Sequence, residues 1–294
     1  MLNSLLYKTT IILALLAMNG AVAQTIPSKD QNEIAYDVVG DGSTAIVFVH
    51  GWTCDRTFWA EQIPYFLKKF TVVTLDLAGH GASGTERTGW TIEAFAEDVA
   101  SVVNRLGLEQ VTLVGHSLGG LVVLEAAHKL PHQTTGVVIV DELMNTSDQY
   151  SWFEQMLVYL ALKISFESSM DFIVRESMFT PSSDRDLVEK VVQAMANSPK
   201  VPAVESMVDA GGYFDYFNDN ATSTLNRLEV PVAIVNAGIP PVKADFKVES
   251  QERLLLKGLP NVGHFLMMEA PLEFNHLLDQ TIEEMADIAS SDMR

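Results

Sequence analysis

Ser117 stands in the run Gly115-His116-Ser117-Leu118-Gly119-Gly120, with a glycine two positions to either side. The apolar run 111–114 precedes it and a helical pattern over 121–127 follows. That spacing predicts strand, tight turn and helix, with a hydroxyl lifted out at the tip. Small neighbours let strand and helix approach closely, and the tip residue sits in strained backbone. The N–H groups that open the helix point to where negative charge would develop. The chemistry this suits is attack by an alcohol oxygen. A serine hydroxyl is a poor nucleophile until a base takes its proton. A histidine whose tautomer is fixed by a carboxylate serves that purpose.

Of seven histidines, His264 in Gly263-His264-Phe265 is the expected base. It follows a strand candidate over 253–257 and a turn over 258–261, where a loop can carry imidazole over the sheet edge. His50 and His80 also lie in strand-end loops and are its competitors, whereas the turn is expected to aim His116 away. His128, His132 and His276 read as surface or packing residues on or near helices. The carboxylate belongs in a loop at the carboxyl end of a parallel strand. Asp141, which ends the run 137–140, is favoured. Asp245, beyond the run 232–235, is the alternative acid, and Glu142 is a third choice. The oxyanion is assigned the backbone N–H groups of Leu118 and of Trp52, the latter in His50-Gly51-Trp52 after the run 45–49.

These residues need a frame. Five β-branched runs, 45–49, 71–75, 111–114, 137–140 and 232–235, are almost continuously apolar, as strands covered on both faces are. Helical patterns alternate with them, including one over 92–106 with Thr91 as cap and Gly107 as stop. The expected class is α/β, a doubly wound and mostly parallel sheet. The 88 residues between Asp141 and Val230 are too long for an ordinary connection. They carry helical patterns over 150–164 and 170–178, and a third opening at Ser183 and running to about 196. An inserted helical cap over 143–228 follows, with the core formed by 24–142 and 229–294. Trp152, Phe153, Met156, Tyr159, Phe166, Met170, Phe172, Met178 and Phe179 read as cap core, with some facing a pocket. A last helix over 272–288 packs on the sheet and the tail from Ala289 frays.

Composition narrows the partners. The chain has 294 residues, 19 Lys plus Arg against 38 Asp plus Glu, and a net charge of −19. Nucleic acid is excluded, since neutralising phosphates needs a basic face. Lys8, the short apolar stretch 11–18 and Ala21-Val22-Ala23 form a cleavable signal peptide over 1–23, with the mature chain beginning near Gln24. Asn19 and Gly20 interrupt the apolar run, so no stable membrane anchor is expected. The destination is the periplasm or the medium. Cys54, the single cysteine, can form no internal disulfide and reads as a small buried side chain. No metal-ligand spacing is present, and neither metal nor other cofactor is inferred.

Gly115 to Gly120, His50-Gly51-Trp52, the turn 76–81 and Gly263-His264-Phe265 together resemble the α/β-hydrolase superfamily over nearly all of residues 32–288. The chain order serine, acid, histidine agrees with it. The resemblance implies eight strands, a helical cap after the sixth, no cofactor and a structural turn at 76–81. It carries Ser117 and His264 over directly. Most members place the acid after the seventh strand, where this chain has Asn236-Ala237-Gly238-Ile239, and some place it after the sixth, which matches Asp141. The cap looks most like that of small bacterial esterases. The expected activity is that of a secreted serine carboxylester hydrolase cleaving small, largely apolar esters or lactones through an acyl-enzyme. A slow or non-catalytic ligand-binding or sensor protein on the same fold is the alternative from another class. Acyl transfer, perhydrolysis and C–C cleavage are alternatives within the same pocket.

Overall fold

Strands form where the β-branched runs lie. The computed structural model describes residues 24–143, 149–238 and 251–292; the 1–23 segment and Asp245 lie outside the described residues. The strands are β1 (Gln24–Pro27), β2 (Glu33–Val39), β3 (Ala45–Val49), β4 (Thr71–Leu75), β5 (Val111–His116), β6 (Thr134–Val140), β7 (Val232–Ala237) and β8 (Leu254–Leu259). They make one eight-stranded sheet in the order β1-β2-β4-β3-β5-β6-β7-β8. β3 to β8 are mutually parallel, and β1 and β2 run antiparallel to their neighbours. Every residue of β3 and β5 is buried, as near-continuous apolar runs require. The last strand begins at Leu254, one residue later than expected, and extends two residues further.

Helices flank the sheet. α1 (Ile92–Leu106) is capped by Thr91, whose Oγ1 accepts the Ala94 N–H at 3.1 Å, and stops at Gly107 with φ 64°. It packs beside α2 (Leu118–Lys129), which lies on β5 and β6. On β6, Ile139 lies against Gly120 of α2, while Gly136 looks on Met285. Three positions apart on a strand means opposite faces, so the terminal helix lies across the sheet from α2.

Between β6 and β7 the chain folds into α3 (Trp152–Ile164), α4 (Phe166–Ile173), α5 (Arg185–Ala196), α6 (Lys200–Val208), α7 (Tyr213–Asp219) and α8 (Ala221–Arg227). α9 (Pro271–Asp292) ends the described chain, continuing past the expected fraying point at Ala289. Two boundaries differ from the sequence reading. The helix expected over 170–178 starts at Phe166 and gives way to a wider π-type turn over Val174–Met178. The helix expected to open at Ser183 is capped by Asp184, whose carboxylate accepts the Leu187 N–H at 3.0 Å, while the Ser183 hydroxyl donates to Glu269. The apolar stripe also divides differently. Phe166 and Met170 are buried core, but Trp152, at 73% exposure, Phe153 and Phe172 face outward.

The register sets the site. Val49 pairs with Gly115, His116 with Val140, and Val140 with Val235, so the exits of four parallel strands stand side by side. The segments after β3, β5, β6 and β7 therefore converge at one sheet edge, where α/β proteins place ligands.

Candidate active site

Ser117 sits between β5 and α2 with φ 52° and ψ −125°. That is left-handed backbone held by a non-glycine residue, which costs on the order of 1–3 kcal/mol. Two backbone bonds hold it: Ser117 N–H donates to Val140 O at 2.8 Å, and Gly120 N–H to Ser117 O at 2.6 Å. A Cβ on Gly115 would collide with the carbonyl of Gly119, and one on Gly119 with that of His50, so both positions admit only glycine. The Ser117 side chain is not used to cap α2 and lines a cavity of about 450 Å³.

His264 lines the same cavity. Its Nδ1 lies 2.6 Å from Asp141 Oδ2. A carboxylate accepts, so Nδ1 carries a proton and donates it to Asp141, which leaves Nε2 as the ring nitrogen away from the acid. Asp141, at 6% exposure, uses Oδ1 to accept the Ala237 N–H at 2.6 Å. Ala237, the last residue of β7, thus supplies a donor to this carboxylate. Asp141 itself has φ 50°, a second strained residue at the site.

The competing histidines stand elsewhere. His50 Nδ1–H donates to Gly51 O at 2.8 Å and its Nε2 accepts Leu77 N–H at 3.0 Å, which fixes a neutral ring. Burial depresses His50 to about 4 and His80, close to it at 5.1 Å between ring centres, to about 3. Asp76 in the neighbouring turn accepts the N–H groups of Arg56 and Ala82 and pairs with the Arg56 guanidinium, a structural use. The two histidines give a pH prediction. Both lie below the ordinary 6.5, so between pH 6.5 and about 3 the folded protein binds fewer protons than the unfolded chain. Stability is full above that window and is lost as pH falls through it. Thermal melts are expected to show Tm dropping by about 5 °C or more from pH 6.5 to 4, and His80→Gln should flatten that slope. A slope unchanged by the substitution would count against a neutral buried His80.

Trp52 and Leu118 also line the cavity, and neither backbone N–H has a hydrogen-bond partner among the described residues. The Trp52 indole donates to Ala203 O of α6 at 2.8 Å, which ties the loop after β3 to the helical insertion. Cys54 is buried, with its thiol pushed well up by burial, and donates to Trp52 O. Among the described residues no cluster of His, Cys, Asp or Glu could hold a metal ion.

Several participants were not read from sequence. His116, expected to point away, has its Nε2–H on His264 O at 2.8 Å. Burial keeps this ring neutral, and its Nδ1 is buried without a partner. His264 N–H donates to Met178 O at 2.7 Å, so the insertion grips the backbone of the base. Phe265, fully buried, stacks on Phe179 with ring centres 5.4 Å apart. Glu142 and Tyr213 line the cavity side by side. Glu142 was named in the sequence only as a third-choice acid, and it is Asp141 that meets His264 Nδ1; the other contacts depend on distances no spacing rule supplies.

A nucleophile candidate on a strained turn, an acid–imidazole pair and two unpaired N–H groups at one cavity describe a hydrolase-type site on a doubly wound sheet. Residues 44–271 match the alpha/beta hydrolase fold family model, and the chain belongs to that family. Among curated proteins, an uncharacterized Mycobacterium tuberculosis protein is 34% identical over 106 residues, 36% of this chain and 31% of that relative, so the match spans about a third of its length. 3-Oxoadipate enol-lactonase 2 of Acinetobacter baylyi is 23% identical over 252 residues, 81% of this chain and 88% of that protein. Among solved structures, an esterase from Exiguobacterium antarcticum superposes with a TM-score of 0.76 at 18% identity, covering 89% of this chain and all of that one.

Proposed function

We propose that the protein is a serine carboxylester hydrolase acting on small, largely apolar esters, lactones among them. The observation that carries this reading is the 2.6 Å Asp141–His264 contact at the cavity that Ser117 also lines. His264 Nε2 takes the Ser117 proton as Oγ bonds to the substrate carbonyl carbon. The carbonyl oxygen becomes an oxyanion held by the N–H groups of Leu118 and Trp52. The tetrahedral adduct collapses, the C–O bond to the leaving alcohol breaks, and the imidazolium returns its proton to that alcohol. Water, deprotonated by the same imidazole, then adds to the acyl carbon; the C–Oγ bond breaks, the imidazolium returns its proton to Ser117 Oγ, and the acid leaves. Asp141 holds the ring in the productive tautomer and stabilises the imidazolium. Groups held at one sheet edge before the substrate arrives are where such a site would gain most of its rate.

Substrate size follows from the enclosure. Leu118 and Phe265 of the core and Met178, Met195, Met207 and Phe214 of the insertion give the cavity an apolar wall that suits an uncharged acyl or alkyl group. Across 4-nitrophenyl esters of graded acyl length, kcat/KM is expected to be highest for short chains and to fall at least about tenfold by lauroyl. A maximum at the longest chains would sink the small-ester reading. The enol-lactonase relative supports including lactones in the same panel.

A further inference from the structure

Glu142 is a buried carboxylate in the wall of the reaction cavity that the proposed chemistry leaves idle. It is 8% exposed and contacts the cavity beside Tyr213. The backbone that presents it is costly. Asp141 has φ 50° and Leu143 φ 56°, so both neighbours of Glu142 occupy the left-handed region, and a leucine there is unusual. Strain of this kind persists where the surroundings over-determine it and gathers at functional sites. Here it sends two consecutive carboxylates to one cavity, Asp141 to His264 and Glu142 to the wall.

Among the described residues its hydrogen bonds are incomplete. A carboxylate offers about four acceptor sites. Among the described residues, Oε1 accepts Leu143 N–H at 3.1 Å and shares the Tyr213 hydroxyl at 3.2 Å, while Oε2 has only its share of that hydroxyl, at 3.1 Å. One forked O–H at these lengths is a weak partner, since a full O–H···O⁻ bond is shorter, about 2.5–2.7 Å. No lysine or arginine stands among the described residues of the wall. Burial pushes the Glu142 carboxyl above its ordinary range, against the smaller opposing pull of the Leu143 N–H, His264 and the Tyr213 hydroxyl. Asp141 is not in the same position, because both of its oxygens are engaged.

We propose that Glu142, backed by Tyr213, is the specificity-determining anchor of the cavity, accepting a hydrogen bond from a hydroxyl, amide N–H or ammonium that the substrate carries away from its scissile carbonyl. The substrate class is then an ester or lactone with an apolar body and one donor group. This rests on the serine-hydrolase reading for its reaction, though not for its binding. A hydroxyl entering an otherwise apolar cavity loses water's hydrogen bonds and is rejected unless a partner waits for it. Glu142 is that partner, and a methyl of the same size in its place would leave the acceptor unfilled.

Matched 4-nitrophenyl esters test this: 3-hydroxybutyrate, 3-ammoniobutyrate and the methyl isostere 3-methylbutyrate. Wild type is expected to favour a donor-bearing ester over the isostere by about tenfold or more in kcat/KM. Glu142→Leu should erase or invert that ratio. Glu142→Gln should keep the hydroxyl preference, since an amide oxygen still accepts, and lose the ammonium preference. If Glu142 merely latches the insertion to the core, Glu142→Leu will lower all three esters alike with the ratio intact, which overturns the anchor. A wild-type ratio near one, with Ser117-dependent turnover of the isostere, also overturns it while leaving the hydrolase reading in place. The ratio is read a second time from calorimetric binding of the three corresponding 4-nitroanilides to wild type and both variants. That arm decides for or against the anchor even if no ester is turned over, the outcome that would defeat the hydrolase reading alone.

Discussion

Ser117→Ala is expected to lower kcat on a short-chain aryl ester by about four to six orders of magnitude, while the protein stays folded. Both halves follow from the turn. The Ser117 side chain makes no capping bond to α2, and alanine carries the same Cβ through the same strained φ, so the elbow loses no structural contact. What is lost is the atom that becomes acylated. Circular dichroism and a melt near the wild-type Tm would establish the fold. Intact-mass and peptide analysis after a fluorophosphonate should find one adduct in wild type, on the peptide containing Ser117, and none in the variant. Wild-type rates in Ser117→Ala, or an adduct elsewhere with full inactivation, would end the mechanism proposed above.

Asp141→Asn is expected to cost about 10³–10⁴ in kcat with little change in KM. The reason lies in which groups face the side chain. Asp141 receives two N–H donors, from Ala237 and from His264 Nδ1. An asparagine has one oxygen and one NH₂, so it can satisfy only one of them. With its oxygen kept on Ala237, its NH₂ meets His264 Nδ1, and the ring must move its proton to Nε2, where a base cannot have one. Asp245→Asn is the paired control, and with the acid's role assigned to Asp141 it should stay within about twofold of wild type. The reverse pattern, a large loss in Asp245→Asn and a small one in Asp141→Asn, would move the acid to the loop after β7.

The parts of the molecule that were readable from sequence are those governed by local rules. Thr91 and Gly107 bound α1 because a side-chain cap and a left-handed stop each need a particular residue type. β3, β5, β6 and β7 show themselves because two covered faces demand unbroken apolar runs. β1, at the sheet edge, and β2 beside it gave no such run, because polar residues interrupt both. Ser183 and Asp184 are equally good caps on paper, and only the position of Glu269, 86 residues away in sequence from Ser183, decides between them. α6 to α8 went unread because short helices that lean on neighbouring parts carry little periodicity of their own. At the site, the strand-end positions of Ser117, Asp141 and His264 follow from topology, and the structure brings the latter two together. The grip of Met178 and His116 on His264 is a tertiary fact with no trace in spacing.

That grip bears on how the molecule could be re-engineered. In a modular view, specificity is exchanged by transplanting the 143–228 stretch from a cousin while the catalytic chassis stays put. Here the graft would take away the carbonyl that positions the imidazole's main chain and the one that anchors the Trp52 indole. A chimera would therefore be crippled in turnover as well as altered in selectivity, unless the donor stretch brings carbonyls to the heights of Met178 and Ala203. The natural crossover points lie inside the insertion, sparing its contacts with the chassis, rather than at its two ends.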